Sequence, residues 1–353
     1  MKIGIFDPYL DTLGGGEKYV LTLSSCLSDK NEVSIFWDNE LILSKGERKF
    51  EIDLKKVKTT KNIFSSSFSL KQRILETKKY DAIFYLSDGS IPLVWSKLFI
   101  HFQFPVKKQQ ENKLLRQYKY TKIAGIICNS VYTKNLIDKE FGLKSVVLYP
   151  PVDLDNILSK SDDAKKEDLI LTVGRYNELS NGSSFKKHEV LIGFFKKISK
   201  NSKYRLVIVT DENKSNSDNL KELSSGYPIT IVENLSKKEL DDLYRKAKIY
   251  WHAAGFDEDL TIYPERAEHF GISTVEAMLS GAVPVVIKAG GQAEIISNGQ
   301  DGFLWETENE LIEKTKLLIS NNQLWEKMSK AAREKGKKFS GKRFCKEVLE
   351  IIK

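Results

Sequence analysis

Short apolar runs alternate along this chain with segments whose apolar residues recur at helical spacing, the pattern of a parallel α/β protein. In the first half the runs cover residues 3–6, 32–37, 82–86, 98–102, 123–129 and 145–148; in the second they cover 169–173, 205–210, 229–232, 249–253 and 283–287. Helical spacing is clearest over 17–27, 189–200, 237–248 and 273–279, with two further helices over 330–338 and 342–352. Between the halves, Tyr149-Pro150-Pro151-Val152-Asp153 interrupts any regular element, because two adjacent prolines fit neither a helix interior nor a central strand. A polar stretch over 159–168 follows. At 353 residues the chain outgrows one ordinary core. The reading is two doubly wound domains, 1–153 and 154–337, each delivering ligand-facing residues at the C-terminal ends of its strands.

Several motifs fall at such strand ends. After the first run comes Asp11-Thr12-Leu13-Gly14-Gly15-Gly16-Glu17-Lys18 and then a helix. A glycine-rich turn there brings backbone N–H groups close to a phosphate or sugar, or simply makes a tight turn. It is neither a dinucleotide fingerprint nor a P-loop. His101 ends the fourth run, just before Pro105, where a ligand-facing role competes with that of a buried core histidine. Gly174-Arg175 ends the first strand of the second half and Lys186-Lys187 precede its next helix, so these cations suit a diphosphate. The stretch from Glu268 through His269-Phe270-Gly271-Ile272 to Glu276 places a loop carboxylate before a helix start and a second carboxylate within the helix. Open N–H groups at a helix start bind phosphates or hydroxyls, and an ionised carboxylate accepts from both hydroxyls of a vicinal diol. Together they indicate a polyhydroxylated, phosphorylated ligand. Gly290-Gly291 before another helix is a second anion-site candidate, while Asp257-Glu258-Asp259, in a long polar loop, reads as solvated.

Charge and cysteines narrow the setting. The net charge of +8 is concentrated in residues 1–153, which carry +7. That suits an anionic lipid surface or a phosphorylated acceptor; nucleic acid ranks last because no binding motif for it is present. Residues 107–119 form a basic amphipathic stretch that reads either as a solvated face or as a contact with anionic membrane. No run is long enough to span a membrane, and the start reads as a strand rather than a signal peptide. Cys26, Cys128 and Cys345 are isolated and odd in number, which predicts reduced core cysteines in a cytoplasmic chain. His101, His188, His252 and His269 form no metal-spaced cluster.

Taken together, these motifs resemble the retaining glycosyltransferases of family four, which have the GT-B fold. The likeness runs through Gly14-Gly15-Gly16-Glu17, His101, Asn129-Ser130-Val131-Tyr132-Thr133, Gly174-Arg175 with a following lysine, Glu268 to Glu276, and Gly281-Ala282-Val283-Pro284. Tyr149-Pro150-Pro151 and Glu268-His269-Phe270-Gly271-Ile272 look most like the branch of GDP-mannose-dependent α-1,2-mannosyltransferases that extend lipid-linked oligosaccharides. The resemblance implies two Rossmann-like domains facing across a cleft, acceptor binding in the first and nucleotide-sugar binding in the second, with the final helix 338–353 packing back on the first. It implies His101 and Glu268 as catalytic residues. Gly15, Gly16, Arg175, Lys186 or Lys187, Phe270, Gly271, Ile272 and Glu276 would bind the donor. No metal or other cofactor is implied, and the acceptor would be a glycan or lipid-linked glycan. An isomerase or epimerase of nucleotide sugars, or a silent nucleotide-sugar-binding subunit, is the alternative on the same fold. Two departures stand out: a long segment between Arg175 and Lys186, and an enlarged loop over 256–266.

Overall fold

The computed structural model describes residues 1–152, 165–176, 184–200, 202–211 and 214–353. Most of the interdomain polar stretch and of the segment between Arg175 and Lys186 lies outside these residues. The chain divides into two compact units, Met1–Pro151 with Gly341–Lys353, and Val152–Ser340.

In the first unit, seven strands form one parallel sheet: β1 (Lys2–Phe6), β2 (Glu32–Phe36), β3 (Val57–Thr60), β4 (Ala82–Leu86), β5 (Lys97–Phe102), β6 (Ile123–Cys128) and β7 (Val146–Val147). Their order is β3-β2-β1-β4-β5-β6-β7. The central strands read as unbroken apolar runs because both of their faces are covered. Ile3 and Ile5 face the helix Gly15–Ser28 and the C-terminal helix Gly341–Ile351, whose Phe344 and Val348 join the same core. Ile83, Tyr85, Ile100 and Phe102 fill the opposite face. Strand alternation then fixes His101 on the face of Gly15–Ser28, where its ring stacks on Tyr19 at 4.2 Å.

The cysteine expectation is corrected here. Cys26 and Cys345, 319 residues apart, are joined in a disulfide that ties the Gly15–Ser28 helix to Gly341–Ile351, with Cα atoms 5.1 Å apart. Cys128 is free and buried. Sequence spacing could not show this pair, because only the return of the C-terminal helix to the first unit brings the two residues together.

The second unit has six parallel strands: β8 (Glu167–Val173), β9 (Arg205–Thr210), β10 (Ile229–Glu233), β11 (Ala247–His252), β12 (Val283–Ile287) and β13 (Phe303–Trp305), in the order β10-β9-β8-β11-β12-β13. The order reverses between β8 and β11, and in open α/β sheets such a switch point opens a crevice at the strand ends. Among the described residues no helix is long and apolar enough to cross a membrane.

Candidate active site

The switch point of the second unit gathers the charged groups. Arg175 follows β8 and is exposed. Gly174 has no side chain because the stem of Lys186 passes over it: a Cβ there would lie 2.8 Å from Lys186 Cγ. Lys186 reaches Glu268 and pairs with its Oε2. The same oxygen lies 2.8 Å from Nε2 of His252, the last residue of β11. Burial alone would raise the Glu268 pKa, but the Lys186 ammonium and His252 outweigh it and hold the carboxyl well below the usual carboxylate range. An ionised carboxylate only accepts hydrogen bonds, so His252 donates through Nε2. Burial pulls His252 below its ordinary value while Glu268 opposes that shift.

The backbone around Glu268 is clamped from behind. Gly291 N–H donates to the Glu268 carbonyl at 2.7 Å. A Cβ on Gly290 would lie 2.1 Å from that carbonyl oxygen, and one on Gly291 would lie 2.5 Å from Phe270 Cα. The Gly290-Gly291 turn therefore shapes the Glu268 loop; the helix after it, Gln292–Ile295, is a single turn. Phe270 is buried and packs edge-on against Phe339.

Gly271 then starts the helix Ile272–Leu279 at φ 120°, with no side-chain cap. That conformation suits glycine, and a Cβ would also press on Gln292 at 2.7 Å. Ser273 in the first turn accepts from the Tyr250 hydroxyl at 2.8 Å. Glu276 lies one turn into the helix beside the buried Tyr244, whose phenol is pushed up first by burial and then by this carboxylate. Tyr250 is also pushed up, by burial and by both Glu268 and Glu276, so the two acids border one small region.

The paired lysines separate. Lys187 sits at φ 58°, at the start of the helix His188–Ser199. Its ammonium pairs with Glu258, and the other Glu258 oxygen accepts from Arg266 at 2.8 Å. Glu258 is thus corrected from solvated to buried, with 5% of its side chain exposed. Of the two lysines, only Lys186 joins Glu268.

In the first unit, Gly14 caps Gly15–Ser28, and the Glu17 side chain accepts from the Gly14 N–H and from Thr12 at 2.8 Å. Gly16 is covered by Gln103, whose Nε2 donates to the Gly16 carbonyl at 3.0 Å. His101 is buried, which lowers its pKa to about 3 and keeps it neutral. His252 and Glu258 are the residues that sequence reasoning missed. His252 carries the same signal as His101, a histidine ending an apolar run, whereas Glu258 has none because its partner lies 71 positions away. Among the described residues no three His, Cys, Asp or Glu side chains gather to hold a metal ion.

Known proteins show the family and the fold. Residues 153–335 match the family model described as glycosyl transferases group 1. The GDP-Man:Man(3)GlcNAc(2)-PP-Dol alpha-1,2-mannosyltransferase of Dictyostelium discoideum is 25% identical over 248 residues, 65% of this chain and 46% of the relative. An uncharacterized glycosyltransferase of Methanocaldococcus jannaschii is 26% identical over 250 residues, 70% of this chain and 64% of the relative. The chain thus spans less than two thirds of the length of these relatives. In fold, it is similar to a glycosyltransferase from Rickettsia africae ESF-5 (TM-score 0.75, 19% identity, 99% of this chain and 97% of that one). It is likewise similar to Anabaena HepE, solved with UDP and glucose (TM-score 0.74, 18% identity, 100% and 99%).

Proposed function

Because the chain belongs to the group 1 glycosyltransferases and has the GT-B fold, we propose that it transfers a hexose, with retention, from a nucleoside-diphosphate sugar to an acceptor hydroxyl. The observation that carries this reading is the cluster of Lys186, Glu268 and His252, with Lys186 passing over the Gly174 that precedes Arg175, next to an uncapped helix start with Glu276 one turn in. Arg175 and Lys186 neutralise the diphosphate, Glu276 accepts from the ribose hydroxyls, and Glu268 with the Phe270–Ile272 backbone orients the sugar. The C1–O bond to phosphate breaks, its electron pair leaves with the diphosphate, and the acceptor oxygen bonds to C1 on the same face. The acceptor proton passes to the departing phosphate oxygen. From the first unit, neutral His101 contacts the sugar near the reacting carbon and the Gly15-Gly16 turn binds the donor. The two cations take the leaving charge, so EDTA is expected to leave turnover unchanged.

GDP-mannose is the proposed donor, supported by the name of the Dictyostelium relative and by the Glu268-His269-Phe270-Gly271-Ile272 motif. The HepE complexes favour UDP and glucose as the second reading. Thermal stabilisation by GDP, UDP, ADP and their sugar conjugates decides between them. A selective shift with GDP and GDP-mannose is expected; a selective shift with UDP sugars overturns the donor assignment, and no shift with any nucleotide overturns the transferase reading.

A lipid-linked acceptor on an anionic cytoplasmic membrane face fits the surface of the first unit. Trp95, 48% exposed, lies beneath the ammonium groups of Lys78 and Lys122 at 4.1 and 4.9 Å. Lys122 also covers Tyr118, on the helix Lys113–Lys122 that exposes Leu114. Aromatic rings with flanking lysines suit the headgroup boundary. Flotation with anionic liposomes, lost in Trp95→Ser, is the expected result; flotation that ignores anionic lipid contradicts it.

A further inference from the structure

The loop between β11 and Glu268 lines an open compartment of its own within the second unit. A cavity of about 440 Å³ is walled by Lys187, Phe256, Asp257, Glu258, Tyr263 and Arg266 among others. That volume lies in the usual range of small-molecule sites. Its two cations are not free to hold an anion, because Lys187 and Arg266 each pair with an oxygen of the buried Glu258. Glu189, Asp257, Glu258 and Asp259 outnumber them in the wall, so a phosphate would enter a net-negative space.

What the compartment offers instead is a fixed aromatic platform bordered by acceptors. The Arg266 guanidinium lies 4.0 Å from the Tyr263 ring centroid, and Glu258 holds that guanidinium in place. One ring face is covered in this way, while Tyr263 remains 42% exposed. Phe256 is held from the core, edge-on to Phe194 and tilted on Trp305. Asp257 is exposed at φ 57°, and Asp259 accepts from Thr261 at 2.6 Å. A rigid aromatic face beside carboxylates matches a pyranose ring, which has an apolar C–H face and hydroxyl donors around its edge.

We propose that this compartment is a second carbohydrate subsite, which takes a neutral sugar unit of a glycan distinct from the donor sugar. The proposal rests on the glycosyltransferase reading. It also gives the enlarged 256–266 loop a purpose: Glu258 anchors the loop to Lys187 and flattens Arg266 onto Tyr263, building a platform five residues before Glu268.

Saturation-transfer NMR on the full chain tests it, using neutral methyl α-hexopyranosides and their α-linked disaccharides at millimolar concentration. The wild type is expected to give saccharide signals, weakened about fivefold in Tyr263→Ala, restored in Tyr263→Phe and reduced in Asp257→Asn. Absence of signal in the wild type, equal signal in Tyr263→Ala, or competition by inorganic phosphate would overturn the subsite. The same samples are scored for nucleotide-induced thermal shift. A retained shift without saccharide signal rejects the subsite and leaves the transferase reading standing; loss of both rejects the two together.

Discussion

Two helix starts in this molecule look alike in sequence and differ in what they offer. Each follows a strand end, contains glycine and leads into an apolar helix. At Gly14–Gly16 the helix brings its own acid: Glu17 folds back to accept from the Gly14 N–H and from Thr12. At Gly271 no side chain caps the helix, and the nearby acid, Glu268, is turned to Lys186 and His252. At the first start, no side chain caps the helix either, but Glu17 ties the Gly14 N–H and Thr12 back onto the turn. The second lies beside the Lys186, Glu268 and His252 cluster, the arrangement proposed to receive a diphosphate sugar. A glycine turn before a helix is therefore informative only once the partners of the acid nearest it are known.

The most severe way to break this contrast is Glu268→Ala. Lys186 and His252 lose a shared, largely buried partner, so stability should fall by about 3 kcal/mol in chemical denaturation. Turnover should fall by about 100-fold or more. Unchanged turnover would remove Glu268 from the chemistry. Next comes Gly271→Ala, which forces a Cβ into a φ of 120° and against Gln292. A loss of about 1–3 kcal/mol is expected, together with a weakened nucleotide response. Glu17→Ala removes the self-satisfied cap of the first unit and should cost about 1 kcal/mol, with the nucleotide-induced shift retained. A lost shift would show that the two starts are not independent.

Two titrations act on stability with opposite sign. Burial lowers His188 from 6.5 to about 4, so the native state binds fewer protons than the unfolded chain between those values. Stability is therefore lost as pH falls through that window. Burial raises Asp7, at the end of β1, from 3.8 to about 7, so the native state keeps its proton and stability is lost as pH rises across that range. Asp7→Asn should accordingly raise the melting temperature at pH 8 relative to the wild type, with the gain gone near pH 4. An equal gain at both pH values would contradict the buried-carboxyl account.

The sequence made the central strands legible because burial on both faces writes an apolar run. Of the edge strands, those at 146–147 and 229–233 fell in apolar runs, but two were not legible: Val57–Thr60 spells Val-Lys-Thr-Thr, and Phe303–Trp305 is only three residues long. The helix read over 330–338 belongs to Asn322–Gly336, whose first turns are mostly polar. At the site, Arg175, Glu268 and Glu276 stood out because their neighbours announce strand ends and helix starts. The division of labour between Lys186 and Lys187 did not, since it depends on the left-handed backbone at Lys187 and on a partner in a distant loop. The same limit hid His252, whose importance comes from Glu268 approaching it in space.

The most direct test of the donor-site account compares nucleotide-induced thermal stabilisation in wild type, Lys186→Ala and Lys187→Gly. Glycine suits the left-handed position of Lys187, so that variant keeps its backbone. The account predicts that GDP stabilises the wild type and Lys187→Gly but not Lys186→Ala. Equal stabilisation of Lys186→Ala and wild type, or loss confined to Lys187→Gly, would contradict it.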